Sequence, residues 1–213
     1  MMLGSVPGWP VVLAEGPVVL RPYKRSDAAA WSEVRCVNEP WLAPWESAPP
    51  GPWRELNSPR AFSYVYRDMR SSARRGESMP FAVCLRGDNG DRLVGHLNLG
   101  NIVRRAFSSA YVGYWVDSRV AGRGVIPTAL ALAVDHAFGP AGLHRVEINI
   151  RPENGPSRRV VEKLGFREEA YHPRYMHIDG TWRDHIGYAM TSEEVAAEGG
   201  LLARWRRVRT TTP

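Results

Sequence analysis

The sequence predicts an α/β fold, with helices flanking a mixed sheet of about seven strands. Three observations predict it. Short apolar runs of strand length recur along the chain, Asx-Gly turns separate two adjacent pairs of runs, and helical periodicities separate the others. The 213 residues are 44% hydrophobic, which suits one compact domain with a real core. The expected division is a flexible N-terminal arm over 1–16, rich in Gly and Pro, a single domain over 17–195, and a basic tail over 196–213.

Val18-Val19-Leu20-Arg21-Pro22 reads as the first strand. Ser26-Asp27 supplies a helix start before Ala28 to Val37. The stretch from Glu39 to Pro59 is proline-rich and holds Trp41, Trp45 and Trp53, as a functional loop does. A helix is expected from Ser58 or Pro59 to Arg75. Phe81–Leu85 and Leu93–Leu99 read as strands joined by the hairpin signal Asp88-Asn89-Gly90-Asp91. Ala110 to Val116 is the next strand. A helix then runs from about Ile126 to Phe138, with Ile126, Leu130, Val134 and Phe138 near one face. Arg145–Ile150 is a strand, and Ser157–Leu164 a short helix stopped by Gly165. Two last strands flank Asp179-Gly180, a second hairpin signal.

Composition narrows the function. No apolar run approaches the ~18 residues of a spanning helix, and the N-terminus lacks the features of a signal peptide. A cytoplasmic protein is expected. Cys36 and Cys84 stand in apolar stretches without metal-type spacing, and the six histidines form no metal-type pair, so no metal is predicted. The net charge of +6 is carried almost wholly by arginine, the residue suited to bidentate phosphate contact, although charge alone does not choose among ligands.

The segment Tyr111 to Val125 carries the chemistry. A strand enters a loop with Gly122 and Gly124, and a helix opens directly after it. Glycines admit a ligand close to the backbone, and a helix N-terminus presents unpaired N–H groups and a positive dipole end. Together they make a site for a phosphate or pyrophosphate. The loop lacks the Gly-Lys-Ser/Thr ending of a P-loop, and Pro127 stands near the place of a third dinucleotide glycine.

Arg119-x-x-Gly122-x-Gly124 resembles the acetyl-CoA pyrophosphate loop of the GNAT acetyltransferases. About thirty residues on, Asn154-Gly155-Pro156-Ser157 and Glu162-Lys163-Leu164-Gly165-Phe166 look like the second conserved region of that superfamily. Arg174 to His185 is similar to the C-terminal region of the RimJ/RimL ribosomal-protein-alanine N-acetyltransferases, and Trp182-Arg183-Asp184-His185 with Tyr111 leans to the RimJ branch. The resemblance is strong over about Phe81 to Met190. Ala170 departs from it, standing where this type usually has glycine.

The resemblance implies a GNAT fold, a mostly antiparallel sheet splayed at the acetyl-CoA site. It implies direct attack of an amine on the thioester in a ternary complex. Tyr114, Trp115, Val116, Arg119, Gly122, Arg123, Gly124, Val125, Ile126, Asn154 and Arg158 are the expected cofactor-binding residues. Ser157 is the candidate acid or proton relay, in a place where it can also cap a helix. Glu46 and Glu55 are candidate bases. Tyr111 stands where RimL-like enzymes have glutamate, and is expected to shape the substrate tunnel. The implied acceptor is a protein N-terminus, most simply Ala or Ser of a small-subunit ribosomal protein. No direct nucleic-acid contact is required, and the expected state is monomer or dimer. Two other readings stand beside it: acetylation of a small amine such as an antibiotic or polyamine, and ribosome or RNA binding through Arg204-Trp205-Arg206-Arg207.

Overall fold

The structure is a computed structural model and describes residues 6–48, 50–88 and 90–211. Strands β1 (Leu13–Glu15) and β2 (Val18–Pro22) precede helix α1 (Ala28–Val37), short helices α2 (Glu39–Leu42) and α3 (Trp53–Leu56), and the long α4 (Pro59–Arg74). Then come β3 (Met79–Gly87), β4 (Gly90–Val103), β5 (Ser109–Val116), α5 (Val125–Phe138), β6 (Arg145–Ile150) and α6 (Gly155–Leu164). β7 (Arg167–Ile178), β8 (Thr181–Thr191), α7 (Glu193–Ala196) and α8 (Leu201–Thr211) complete the chain.

The strands form one eight-stranded sheet in the order β1-β2-β3-β4-β5-β6-β8-β7. Every neighbouring pair is antiparallel except β5 and β6. A parallel pair needs a crossover connection, and α5 provides it. The Asp179-Gly180 turn of the β7–β8 hairpin has both φ angles positive, at 49° and 71°, as a type I′ turn requires. Asn89 of the other expected turn lies outside the described residues. Ala170 adjoins a shift of register between Glu168 and Ala170 in β7.

Helix starts follow local chemistry. Ser58 accepts from the Ala61 N–H at 3.2 Å and Pro59 occupies the first turn of α4. Asn154 caps α6 through Ser157 N at 3.1 Å, and Gly165 ends that helix at φ 74°. The core is built by Leu20, Phe81, Val83, Leu97, Leu99 and Val112 against α5, and α5 is buried over almost its whole circumference, more than the single apolar face expected.

Both chain ends differ from the expected arm and tail. Residues 1–5 lie outside the described residues, but β1 adds an edge strand to β2, Trp9 packs edge-on to Phe81 at 5.0 Å, and His136 Nε2 donates to the Gly8 carbonyl at 2.6 Å. At the other end α8 covers α5. Trp205 is buried and its indole N–H donates to Thr128 Oγ1 at 2.8 Å. The Asp135 carboxylate accepts from Leu201 N at 2.6 Å and Leu202 N at 3.0 Å, neutralising the helix N-terminus. Arg204, Arg206 and Arg207 pair with Glu198, Glu15 and Glu198 respectively. The segment that the alternative reading gave to RNA contact is thus a docked helix with its indole inside the protein and these arginines matched by carboxylates.

Candidate active site

The site begins where the parallel pair comes apart. β5 and β6 pair only over Ser109–Tyr111 and Arg145–Glu147, yet β5 continues to Val116 and β6 to Ile150. Past Tyr111, among the described residues, no strand pairs with β5 on that side, and the Val116 carbonyl accepts from Trp41 instead. A cavity of about 770 Å³ occupies the gap, bounded by β5, the glycine loop, the first turn of α5, one face of α6 and the tryptophan-rich segment. It is elongated enough in its lining to reach from Gly122 to Glu46 and His96.

One end suits an anion. Gly122 and Gly124 take φ of 77° and 75°, in the left-handed region that favours glycine, and a Cβ on Gly122 would meet nothing within 4 Å. The loop therefore presents bare backbone to the cavity, followed by Val125 and Ile126, whose N–H groups have no intrahelical acceptor. Pro127 stands next in that first turn, where a missing N–H costs no helix bond. Arg159 and Lys163, one helical turn apart on α6, add positive charge to the lining. Their i, i+4 spacing, in phase with Pro156 and Val160, was the signal that could have marked them in sequence.

The loop is held by a network centred on Asp117, whose side chain is fully buried. It accepts from Arg119 N at 3.0 Å, Arg119 Nε at 2.8 Å and Asn38 Nδ2 at 3.1 Å, and Asn38 Oδ1 accepts from Ser118 N at 2.9 Å. Burial opposes the Asp117 charge, but the Arg119 bonds outweigh it and hold the carboxyl below its ordinary range. Arg119 also reaches Glu33 at 2.9 Å. Arg119 thus holds the loop from behind and is not among the residues that border the cavity. Arg123 and Arg158 do not border it either. Arg158 turns to the Tyr188 hydroxyl at 3.3 Å, because its position on α6 faces away from the face carrying Arg159 and Lys163.

The chemistry-bearing middle is a hydroxyl pair. Tyr114 OH lies 2.7 Å from Ser157 Oγ. Burial raises the Tyr114 pKa despite that bond, so the phenol stays protonated. Trp115, Val116 and Asn154 also border the cavity. Trp41, on the opposite wall, donates its indole N–H to the Val116 carbonyl at 3.1 Å.

The far end is closed by the tryptophan-rich segment, which is locked rather than loose. Arg35 sits among the rings of Trp31, Trp53 and Trp115, at 5.7, 4.6 and 5.4 Å. Both Glu46 oxygens bond to its guanidinium. The Glu46 carbonyl accepts from Asp179 N at 3.0 Å, tying the segment to the β7–β8 hairpin. Glu46 borders the cavity, but as the partner of a buried cation it orders this wall. Glu55 is exposed on α3 and outside the lining. Tyr111 is also outside it, beside Glu147 and Tyr175. Burial first, and then the Glu147 charge, raise its pKa and keep it neutral. His96, unmarked in the sequence, borders the cavity and contacts Tyr23 OH through Nδ1 at 3.1 Å. Burial and the nearby Arg35 charge lower its pKa to about 4, so the ring is neutral at neutral pH.

A glycine loop on a helix start, at the mouth of a splayed parallel pair, defines a class. The family model described as an acetyltransferase (GNAT) domain matches residues 18–167, and the chain belongs to that family of N-acetyltransferases. Within it, the chain is similar to RimJ of Mycobacterium smegmatis, whose structure is of a complex with CoA-disulfide. The two are 38% identical with a TM-score of 0.90, covering 96% of this chain and 98% of that one. It is also similar to the [ribosomal protein uS5]-alanine N-acetyltransferase of Escherichia coli strain K12, 28% identical over 86% of this chain and 92% of that protein. A probable N-acetyltransferase of Bacillus subtilis, YjcK, is 41% identical over 45% of this chain, and the match spans about half of that protein, 52%.

Proposed function

We propose that this chain transfers an acetyl group from acetyl-CoA to the α-amine of a protein N-terminus, Ala or Ser of a ribosomal protein, in the cytoplasm. The observation that carries the reading is the separation of β5 from β6 between an anion-binding loop and a hydroxyl pair. The likeness to RimJ and to the uS5-alanine enzyme, each along most of its length, favours a ribosomal protein as acceptor.

Acetyl-CoA supplies an activated thioester. The N–H groups of the glycine loop and of Val125 and Ile126, with Arg159 and Lys163, hold its pyrophosphate. The unpaired β5 backbone past Tyr111 offers hydrogen bonds to the pantetheine amides, and an N–H there polarises the thioester carbonyl. As the amine attacks, the new C–N bond forms, the C–S bond breaks and the proton lost by the amine nitrogen passes to water. Ser157 gives a proton to the leaving sulfur, the Tyr114 hydroxyl passes its own to Ser157, and Tyr114 regains one from water. The acceptor needs little help to become neutral, since a protein α-amine has a pKa of ~7.7–8.0 against ~10.4 for lysine.

The test is thiol release from acetyl-CoA with peptides starting in Ala, Ser, Thr or Met, an N-blocked lysine peptide, and small polyamines and aminoglycosides. Turnover confined to Ala- or Ser-starting peptides is expected. Turnover only on small amines would sink the protein-acceptor reading and leave the family assignment intact.

A further inference from the structure

Strands β4 and β5 carry a feature that the chemistry above does not use. Residues opposed across an antiparallel pair project to the same face. The register sets Asn98 opposite Gly113 and His96 opposite Trp115. Gly113 contributes no side chain, and a Cβ built there would meet nothing within 4 Å. Through this window Asn98 borders the acetyl-transfer cavity. It also borders a second cavity of about 420 Å³ beneath α4, whose lining includes Asp68, Ser72, Glu77 and Asn101 and no Lys or Arg. Among the described residues Asn98 Oδ1 is buried and has no hydrogen-bond partner. A buried carbonyl oxygen left unpaired costs stability, and such a group in a functional cleft calls for a donor.

We propose that Asn98 Oδ1 accepts a hydrogen bond from the incoming amine and orients its lone pair toward the thioester. This rests on the acetyl-transfer reading of the cavity. A neutral amide oxygen accepts from an ammonium or from a free amine alike, so the residue orients without taking the proton. Asp68 in the second cavity favours an approaching cation, while both Glu77 oxygens are held by Arg75 at 2.8 and 2.7 Å. His96 beside Asn98 is held neutral by its surroundings and adds no repulsion.

Asn98→Leu removes the oxygen at similar volume. Its kcat/KM for the amine is expected to fall about tenfold or more, mostly through KM, the effect of one lost hydrogen bond to a polar substrate. The Kd for CoA is expected to stay within about twofold. The thermal midpoint should be equal or higher, since an unpartnered buried oxygen has gone. That last readout separates an acceptor-orienting role from a structural one, which would lower the midpoint. Gly100→Ala is the second variant. An added Cβ there would sit 2.8 Å from Asn98 Nδ2, so the amide stays but must shift, and a smaller loss in the same direction is expected. Unchanged amine kinetics in both variants would overturn the proposal, as would a CoA Kd weakened as much as the amine KM. The comparison uses whichever amine of the panel above the unaltered enzyme acetylates fastest. Failure of the peptide reading therefore shows in the unaltered enzyme, and failure of the Asn98 assignment only in the variants.

Discussion

Ser157 and Tyr114 form a pair that neither residue makes alone. Ser157 Oγ has a protonated phenol 2.7 Å away, and Asn154 fixes the backbone beneath it. Ser157→Ala should lower kcat by about 10²-fold, the usual range for losing a positioned acid, with CoA affinity nearly unchanged. Tyr114→Phe should lower it less, because Ser157 keeps its own proton. Single-turnover kinetics with a fixed acceptor measure both. His96 gives a pH prediction. Its pKa is about 4 in the folded protein against an ordinary 6.5, so the unfolded chain binds more protons between those values. The stability it contributes is full above about pH 6.5 and is lost as the pH falls toward 4. Thermal midpoints from pH 7 to 4 should fall more steeply for the unaltered protein than for His96→Gln, by on the order of 5 °C.

At the scale of elements, the glycine loop and the tryptophan-rich wall answer to different forces. Gly122 has open space where a side chain would stand, so a substitution there meets no protein atom. Gly122→Val still forces a β-branched residue into a left-handed conformation, costs about 1–3 kcal/mol and covers the backbone N–H groups. CoA affinity should fall about tenfold or more by calorimetry, with less effect on the amine KM. The wall depends on Arg35. Its guanidinium is almost wholly enclosed, and Glu46 is the carboxylate that balances it. Glu46→Ala should destabilise the protein by about 2 kcal/mol in denaturant melts, below the figure for a fully buried pair because Glu46 is about one-third exposed. These elements were partly legible in sequence. Paired glycines before a helix announce backbone presented to an anion, since φ preference is a property of the residue itself. The partner of Glu46 lies eleven residues away on α1, and no local pattern announces that meeting.

On the scale of the whole molecule, α8 is the part that sequence reasoning misplaced. A run of arginines looks like a solvated tail because composition registers charge and not what the charge faces. Leu201 and Trp205 are buried against α5, and Asp135 receives the start of the helix. Removing 201–213 should lower the thermal midpoint by many degrees. Trp205→Ala alone should cost about 3–5 kcal/mol by chemical denaturation. A truncated protein with an unchanged midpoint would contradict this packing.

By itself the sequence determined the α/β class, the Asp179-Gly180 turn, the start of α4, the Gly165 stop of α6, and the loop that opens α5. Each depends on φ and ψ preferences or periodicities within a few residues. Only the tertiary structure decided that Arg119 faces Asp117 and Glu33, that Arg159 and Lys163 rather than Arg158 face the cavity, and that Tyr114 meets Ser157 across forty-three residues. The same holds for Asn98, which borders the cleft where strand register sets it opposite a glycine. Such contacts are fixed by register and packing between distant segments, and those are settled when the whole core closes, not by any segment in isolation.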